Sequence, residues 1–255
     1  MISNILSVVN QKGGVGKTTT CINLSAALAK TKRKVLLVDL DPQSNATKGC
    51  GLDPHSLDVS VNDVLLGRNN LSEAIISLDN YGFNILPATP ELTEAEVKLL
   101  SLNEKEFTLR NLLNTIKKKY NYIIIDCPPS LNILTVSSLT ASDGVLIPVQ
   151  CEFFALQGLS ELITTIETIK ESTNNNLSIK GIIRTMFDPR NNLANDVSAQ
   201  LIKFFKEKLF KTIIPRNITV AEAPSHGMPV TEYDKHSKGS LSYLSLTGEI
   251  IKQEK

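Results

Sequence analysis

The sequence predicts an α/β fold: a doubly wound, mostly parallel sheet with helices on both faces, formed by residues 1–255 as a single domain. Two observations carry that reading. Short runs such as Val35-Leu36-Leu37-Val38 and Tyr122-Ile123-Ile124-Ile125 are apolar at every position. Strands of that kind are buried on both faces, as in parallel sheets. Helical patterns alternate with those runs, which is the signature of crossover connections. At 255 residues the chain is long enough to bury a core without staples.

The elements follow in order. Ile5 to Asn10 reads as a first strand, and a Gly-rich turn after it opens a helix reaching about Lys30. The run 35–38 ends in Asp39 and the run 122–125 ends in Asp126. Val145 to Val149, Ile179 to Met186 and the shorter Thr212-Ile213-Ile214 read as further strands. Leu156 to Ile169 and Val197 to Lys208 read as helices, while Leu52 to Asn103 shows no clear period. Right-handed crossovers place the strand ends on one edge. Asp39, Asp126 and the 11–18 loop all follow strands, so they meet on the edge where such sheets bind ligands.

Composition narrows the class. Charged residues make up 21% and hydrophobic residues 42% of the chain, which excludes a disordered protein. No run approaches the 18 apolar residues of a membrane span. The amino terminus lacks a basic segment followed by an apolar one, so no signal peptide is expected. Cys21, Cys50, Cys127 and Cys151 form no C-x-x-C pair and read as reduced thiols of a cytoplasmic protein. His55, His226 and His236 have no metal-site spacing. Net charge is +1, but residues 178–255 hold 12 Lys/Arg against 8 Asp/Glu, a mildly basic tail.

The most informative segment is Lys12-Gly13-Gly14-Val15-Gly16-Lys17-Thr18-Thr19. Glycines let consecutive backbone N–H groups turn inward toward phosphate oxygens. The helix that follows adds its positive dipole end. Lys17 is placed to reach the β- and γ-phosphates and the Thr18 hydroxyl to ligate Mg²⁺. A carboxylate in Asp39-Leu40-Asp41-Pro42-Gln43 can order an attacking water or hold Mg²⁺ through water. In Ile125-Asp126-Cys127-Pro128-Pro129, Asp126 touches the Mg²⁺ shell.

Position 11 is Gln where the strict phosphate-loop pattern has glycine, and a second lysine, Lys12, stands beside it. This loop resembles the deviant Walker A of the ParA/MinD class of P-loop NTPases. Further segments resemble the chromosomal ParA (Soj) family: Gln150 to Leu159, Thr185 to Arg190, Ile214-Pro215-Arg216-Asn217 and Ala221 to Gly227.

The resemblance implies an ATP- and Mg²⁺-dependent ATPase that partitions chromosomes or plasmids. It implies that Lys12 reaches the nucleotide of a partner subunit in an ATP-bound homodimer. By the same resemblance Asp41 supports hydrolysis, Pro215 and Asn217 lie in the adenine-side loop, and Arg190 contacts DNA without sequence preference. Lys203, Lys206, Lys211, Lys235 and Lys238 widen that basic surface. A ParB-type centromere-binding protein is the implied stimulating partner, and nucleoid association the implied location.

The sequence departs from the family once: many relatives carry a basic residue where this chain has Thr219. The nitrogenase iron protein shares the class, but the chain has no cysteine between Cys50 and Cys127, so its cluster ligands are not matched and Cys127 reads as packing. Two alternatives stand beside the partitioning reading. One is a membrane-associated division-site ATPase of the MinD kind, disfavoured by Gln11 and by the poor amphipathic pattern from Leu246 to Lys255. The other is a metabolic phosphoryl-transfer enzyme on the same fold. No membrane partner is expected.

Overall fold

Apolar side chains on both faces of a strand can only be satisfied by helices on both sides, and the chain is built that way. The computed structural model describes residues 4–254. Its strands are β1 (Asn4–Val8), β2 (Val35–Asp39), β3 (Ile76–Leu78), β4 (Phe83–Leu86), β5 (Tyr122–Asp126), β6 (Gly144–Gln150), β7 (Ser178–Phe187) and β8 (Leu209–Pro215). They form one sheet in the order β3-β4-β2-β5-β1-β6-β7-β8. Every pairing is parallel except that of β3 with β4.

Side chains alternate between the faces, as the pleat requires. Ile5, Leu36, Val38, Ile123 and Ile125 join one buried cluster with the helices Thr108–Ile116, Ile133–Ala141 and Ala155–Ser172. Leu6, Leu37, Tyr122 and Ile124 join the other, beneath α1 (Lys17–Lys30) and the last helix, Lys238–Lys252. That last helix spends its apolar face, Tyr243, Leu246 and Ile250, in this core. No helix among the described residues is long and apolar enough to cross a membrane.

The expected strands at 35, 122, 145, 179 and 212 are present, with shifted ends. β1 stops at Val8 rather than Asn10, because Asn10 turns its amide to Pro148 O at 2.7 Å and starts the loop. The helix expected from Val197 begins at Asn192, since the Asn191 side chain caps it by accepting from Ala194 N. It ends at Phe205, and Lys206–Lys208 is a separate 3₁₀ turn. β3 and β4 arise within the stretch that showed no period.

Candidate functional site

The loop between β1 and α1 owes its shape to two left-handed positions, Gly14 (φ 74°) and Gly16 (φ 88°), which a side chain would strain. Val15 between them is buried, and its carbonyl accepts from Thr185 Oγ1 at 2.8 Å. Lys17, the first residue of α1, is 7% exposed and donates to Lys12 O at 3.2 Å, so the loop folds back over it. Burial lowers the Lys17 pKa, opposed by the nearby Asp126 carboxylate. The first turn of α1 carries no acidic residue, and Gly16 supplies no capping side chain. Its N–H groups are therefore left for an outside acceptor.

Three aspartates stand beside this loop, and the sheet register explains why. β2 and β5 are neighbours, and Asp39 is paired with Asp126. Asp39 is fully buried and committed: it accepts from Thr47 N at 2.8 Å, Thr47 Oγ1 at 2.7 Å and Asp41 N at 3.2 Å. Those bonds fix the turn into the short helix α2 (Asn45–Gly49). Asp41 lines the cleft with one oxygen on Gln43 N at 2.9 Å. Asp126 is also fully buried, but only Oδ1 has a partner, Cys21 Sγ at 3.4 Å; Oδ2 has none. Burial raises the pKa of both Asp39 and Asp126, and for Asp126 the Asp39 carboxylate adds to it.

Above them opens a cleft of about 680 Å³. Gly13, Gly14, Gly16, Lys17, Thr18 and Thr19 form one wall. Gln43, Asn45 and Lys48 form a second, and Met186, Pro224 and Ser225 a third; sequence reasoning had singled out none of these six for the site. Nothing in their residue types announces a wall, and Met186, near the end of β7, and Pro224, in the 3₁₀ turn Ala223–His226, lie far along the chain from the phosphate loop. Pro215 and Asn217 do not line this cleft. Asn217 instead caps the helix Ile218–Glu222, accepting from Val220 N at 3.2 Å and from the Thr219 hydroxyl.

Lys12 also stands outside the cleft, where its ammonium pairs with Glu152, both half-exposed. Beside Glu152, Phe153 and Phe154 are 73% and 70% exposed and meet edge to face.

The six cations expected to form one basic surface are not brought together. Arg190 follows β7 on the cleft edge, where it grips Asp188 through two bonds of 2.8 and 2.9 Å. Those bonds hold Asp188 down to about 2. Lys235 and Lys238 lie on the same edge, since Gly239 packs against Val220 and Asn217. Lys206 and Lys211 lie at the start of β8, on the opposite edge. Lys203 is in the last turn of its helix, over the Phe204 ring at 5.5 Å.

The donor set fits a nucleoside triphosphate with a hard cation. Among the described residues no three His, Cys, Asp or Glu side chains surround a metal. Mg²⁺ suits such a place, because it takes one or two carboxylates and completes its shell with water and substrate phosphates. The Asp126 carboxylate would supply one such ligand.

A parallel sheet with a glycine cradle, a buried lysine at a helix start and acidic strand ends defines a P-loop nucleotide-binding protein. Residues 3–179 match a family described as AAA domain. The chain is 45% identical to the sporulation initiation inhibitor protein Soj of Bacillus subtilis, over 98% of both chains. It is 46% identical to the chromosome partitioning protein ParA of Myxococcus xanthus, over 99% of this chain and 89% of that one. Among solved structures it is similar to cobyrinic acid a,c-diamide synthase of Mycobacterium smegmatis, crystallised with an ATP analog and magnesium (TM-score 0.87, 36% identity, 99% of this chain and 96% of the other). The chain belongs to the ParA/Soj family of chromosome-partitioning ATPases.

Proposed function

We propose that this single-domain ATPase binds ATP with Mg²⁺ in the cleft, closes into a sandwich homodimer, holds DNA without sequence preference, and lets go on hydrolysis. The observation that carries the reading is the buried Lys17 facing a carboxylate with an open oxygen, Asp126, under a glycine cradle. Residues 12–19 wrap the phosphates, with Lys17 on the terminal ones. Thr18 and Asp126 hold Mg²⁺, with Asp41 beside them. Bound Mg²⁺ neutralises phosphate charge and so eases attack at the terminal phosphorus. Asp41 orients the attacking water from the cleft wall.

Lys12 leaves Glu152 and reaches the nucleotide of the partner subunit, where two triphosphates face to face call for added cations. Pro215 and Asn217 belong to the adenine side of the assembled dimer. Arg190, with Lys235 and Lys238 on its edge and Lys203, Lys206 and Lys211 beyond, supplies phosphate contacts that the dimer doubles. A ParB-type centromere-binding protein stimulates an otherwise weak hydrolysis, and the dimer resides on the nucleoid in the cytoplasm.

A synthase is the name of one structural relative at 36% identity. Two chromosome partitioning proteins are closer in sequence, at 46% and 44%, and they support the partitioning reading. Its test is Lys17→Ala, measured by ATP binding and by phosphate release. Both are expected to be lost. Tight ATP binding retained by the variant would contradict the assignment of the cleft.

A further inference from the structure

The turn that carries Asp41 is held at both ends, at the far one by a lysine side chain. On the near side Asp41 N donates to Asp39 Oδ1 at 3.2 Å. Within the turn Gln43 N donates to Asp41 Oδ1 at 2.9 Å, and Ser44 N donates to Asp41 O at 2.8 Å. In a regular helix the Thr47 N–H would bond to the carbonyl four residues back, that of Gln43. Here Asp39 takes that N–H, at 2.8 Å. Among the described residues no backbone N–H replaces it at Gln43 O. The Lys48 ammonium does, at 2.8 Å. Thr47, one residue before Lys48, is bonded to Asp39 through both N and Oγ1, so the base of that side chain is fixed.

The turn needs the hold. Ser44 stands in the left-handed region at φ 54°, a strained place for a residue with a side chain. It is fully buried, and its hydroxyl has no hydrogen-bond partner among the described residues. Such a conformation persists only where the bonds around it over-determine it. Lys48 itself is exposed and lines the cleft with Gln43 and Asn45.

We propose that Lys48 is a positioning residue for hydrolysis. By holding the Gln43 carbonyl it keeps the Gln43 N–H on Asp41 Oδ1, and so keeps the Asp41 carboxylate turned toward the attacking water. This role presupposes that Asp41 serves hydrolysis, as in the function proposed above. A cationic donor on a carbonyl is among the stronger hydrogen bonds, which suits it to hold a strained turn. ATP itself is gripped by residues 12–19 on another wall of the cleft. Loss of the hold therefore misplaces the water-orienting group and leaves the grip on ATP intact, so it falls on the rate and not on binding.

The test is single-turnover hydrolysis of ATP with Mg²⁺ by the full chain, together with the Kd for ATP and sedimentation in ATP. The wild type is compared with Lys48→Met, Lys48→Arg and Asp41→Ala. Methionine keeps an unbranched stem and a good helix preference and removes the donor, whereas arginine keeps a cationic donor. Lys48→Met is expected to slow hydrolysis about tenfold, to leave Kd within about twofold and to form the ATP dimer still. Lys48→Arg should recover most of the lost rate. A general loss of folding would move rate and Kd together, and circular dichroism checks for it. Hydrolysis by Lys48→Met within about twofold of the wild type would overturn the proposal, as would Lys48→Arg as slow as Lys48→Met. A Kd raised about tenfold or more in Lys48→Met would overturn it too, since Lys48 would then be a phosphate contact. Asp41→Ala separates the two assignments. Hydrolysis retained there removes the role of Asp41 and that of Lys48 with it. Hydrolysis lost there but retained in Lys48→Met removes the role of Lys48 alone.

Discussion

Asp126 sits where its own chemistry is unfavourable. A fully buried carboxyl loses hydration that its neighbours Thr18 and Cys21 replace only in part. Its pKa is pushed from 3.8 up to about 8, first by burial and then by Asp39. Between those values the folded state holds a proton that the unfolded state has released. Unfolding then releases protons, so the stability of the nucleotide-free protein falls as pH rises from about 4 to about 8. Asp126→Asn removes this contribution. In thermal melts with EDTA it should raise Tm at pH 8 by a few degrees, at roughly 2–4 °C per kcal/mol, and flatten the pH dependence. An unchanged or lowered Tm at pH 8 would contradict the account of this carboxyl. A second residue-scale consequence concerns Glu152, which holds Lys12 within its own chain. The pair is half-exposed, and such pairs contribute about 0.2–1 kcal/mol. A dimer releases two such pairs, so Glu152→Gln should move ATP-dependent dimerisation to lower protein concentration by about two- to thirtyfold. Weakened dimerisation in sedimentation would show that Glu152 serves the dimer rather than restraining Lys12.

At the scale of elements, the site depends on β2 and β5 lying side by side, which aligns Asp39 with Asp126. Ile124 in β5 is fully buried between the sheet and α1. Ile124→Ala should cost about 2–5 kcal/mol by lost transfer and cavity terms. Chemical denaturation should show that loss with little change in m. These strands were legible in the sequence because four consecutive apolar residues ending in aspartate have few other placements. The phosphate loop was legible because its glycines answer a backbone requirement. β3 and β4, of three and four residues, were not legible: an alternation that short completes at most two periods. The wall of Met186, Pro224 and Ser225 was invisible for another reason, since a wall requires shape and no particular residue type. The split of the basic residues between two edges was likewise invisible, because charge counted along a chain carries no strand direction.

The whole molecule gathers its site on one edge: the carboxyl ends of the strands hold the cleft, Lys12 and the exposed Phe153–Phe154 pair. A dimer closing on that edge leaves the amino ends of the strands free. The central claim, an ATP-bound sandwich undone by hydrolysis, is tested most directly by sedimentation velocity with ATP, ADP and no nucleotide, on the wild type, Lys12→Ala and Asp41→Ala. The predicted result is a stable dimer of Asp41→Ala in ATP, a transient one for the wild type, and Lys12→Ala monomeric although it binds ATP. Identical sedimentation of the two variants in ATP, or a dimer that forms equally well in ADP, would contradict the account.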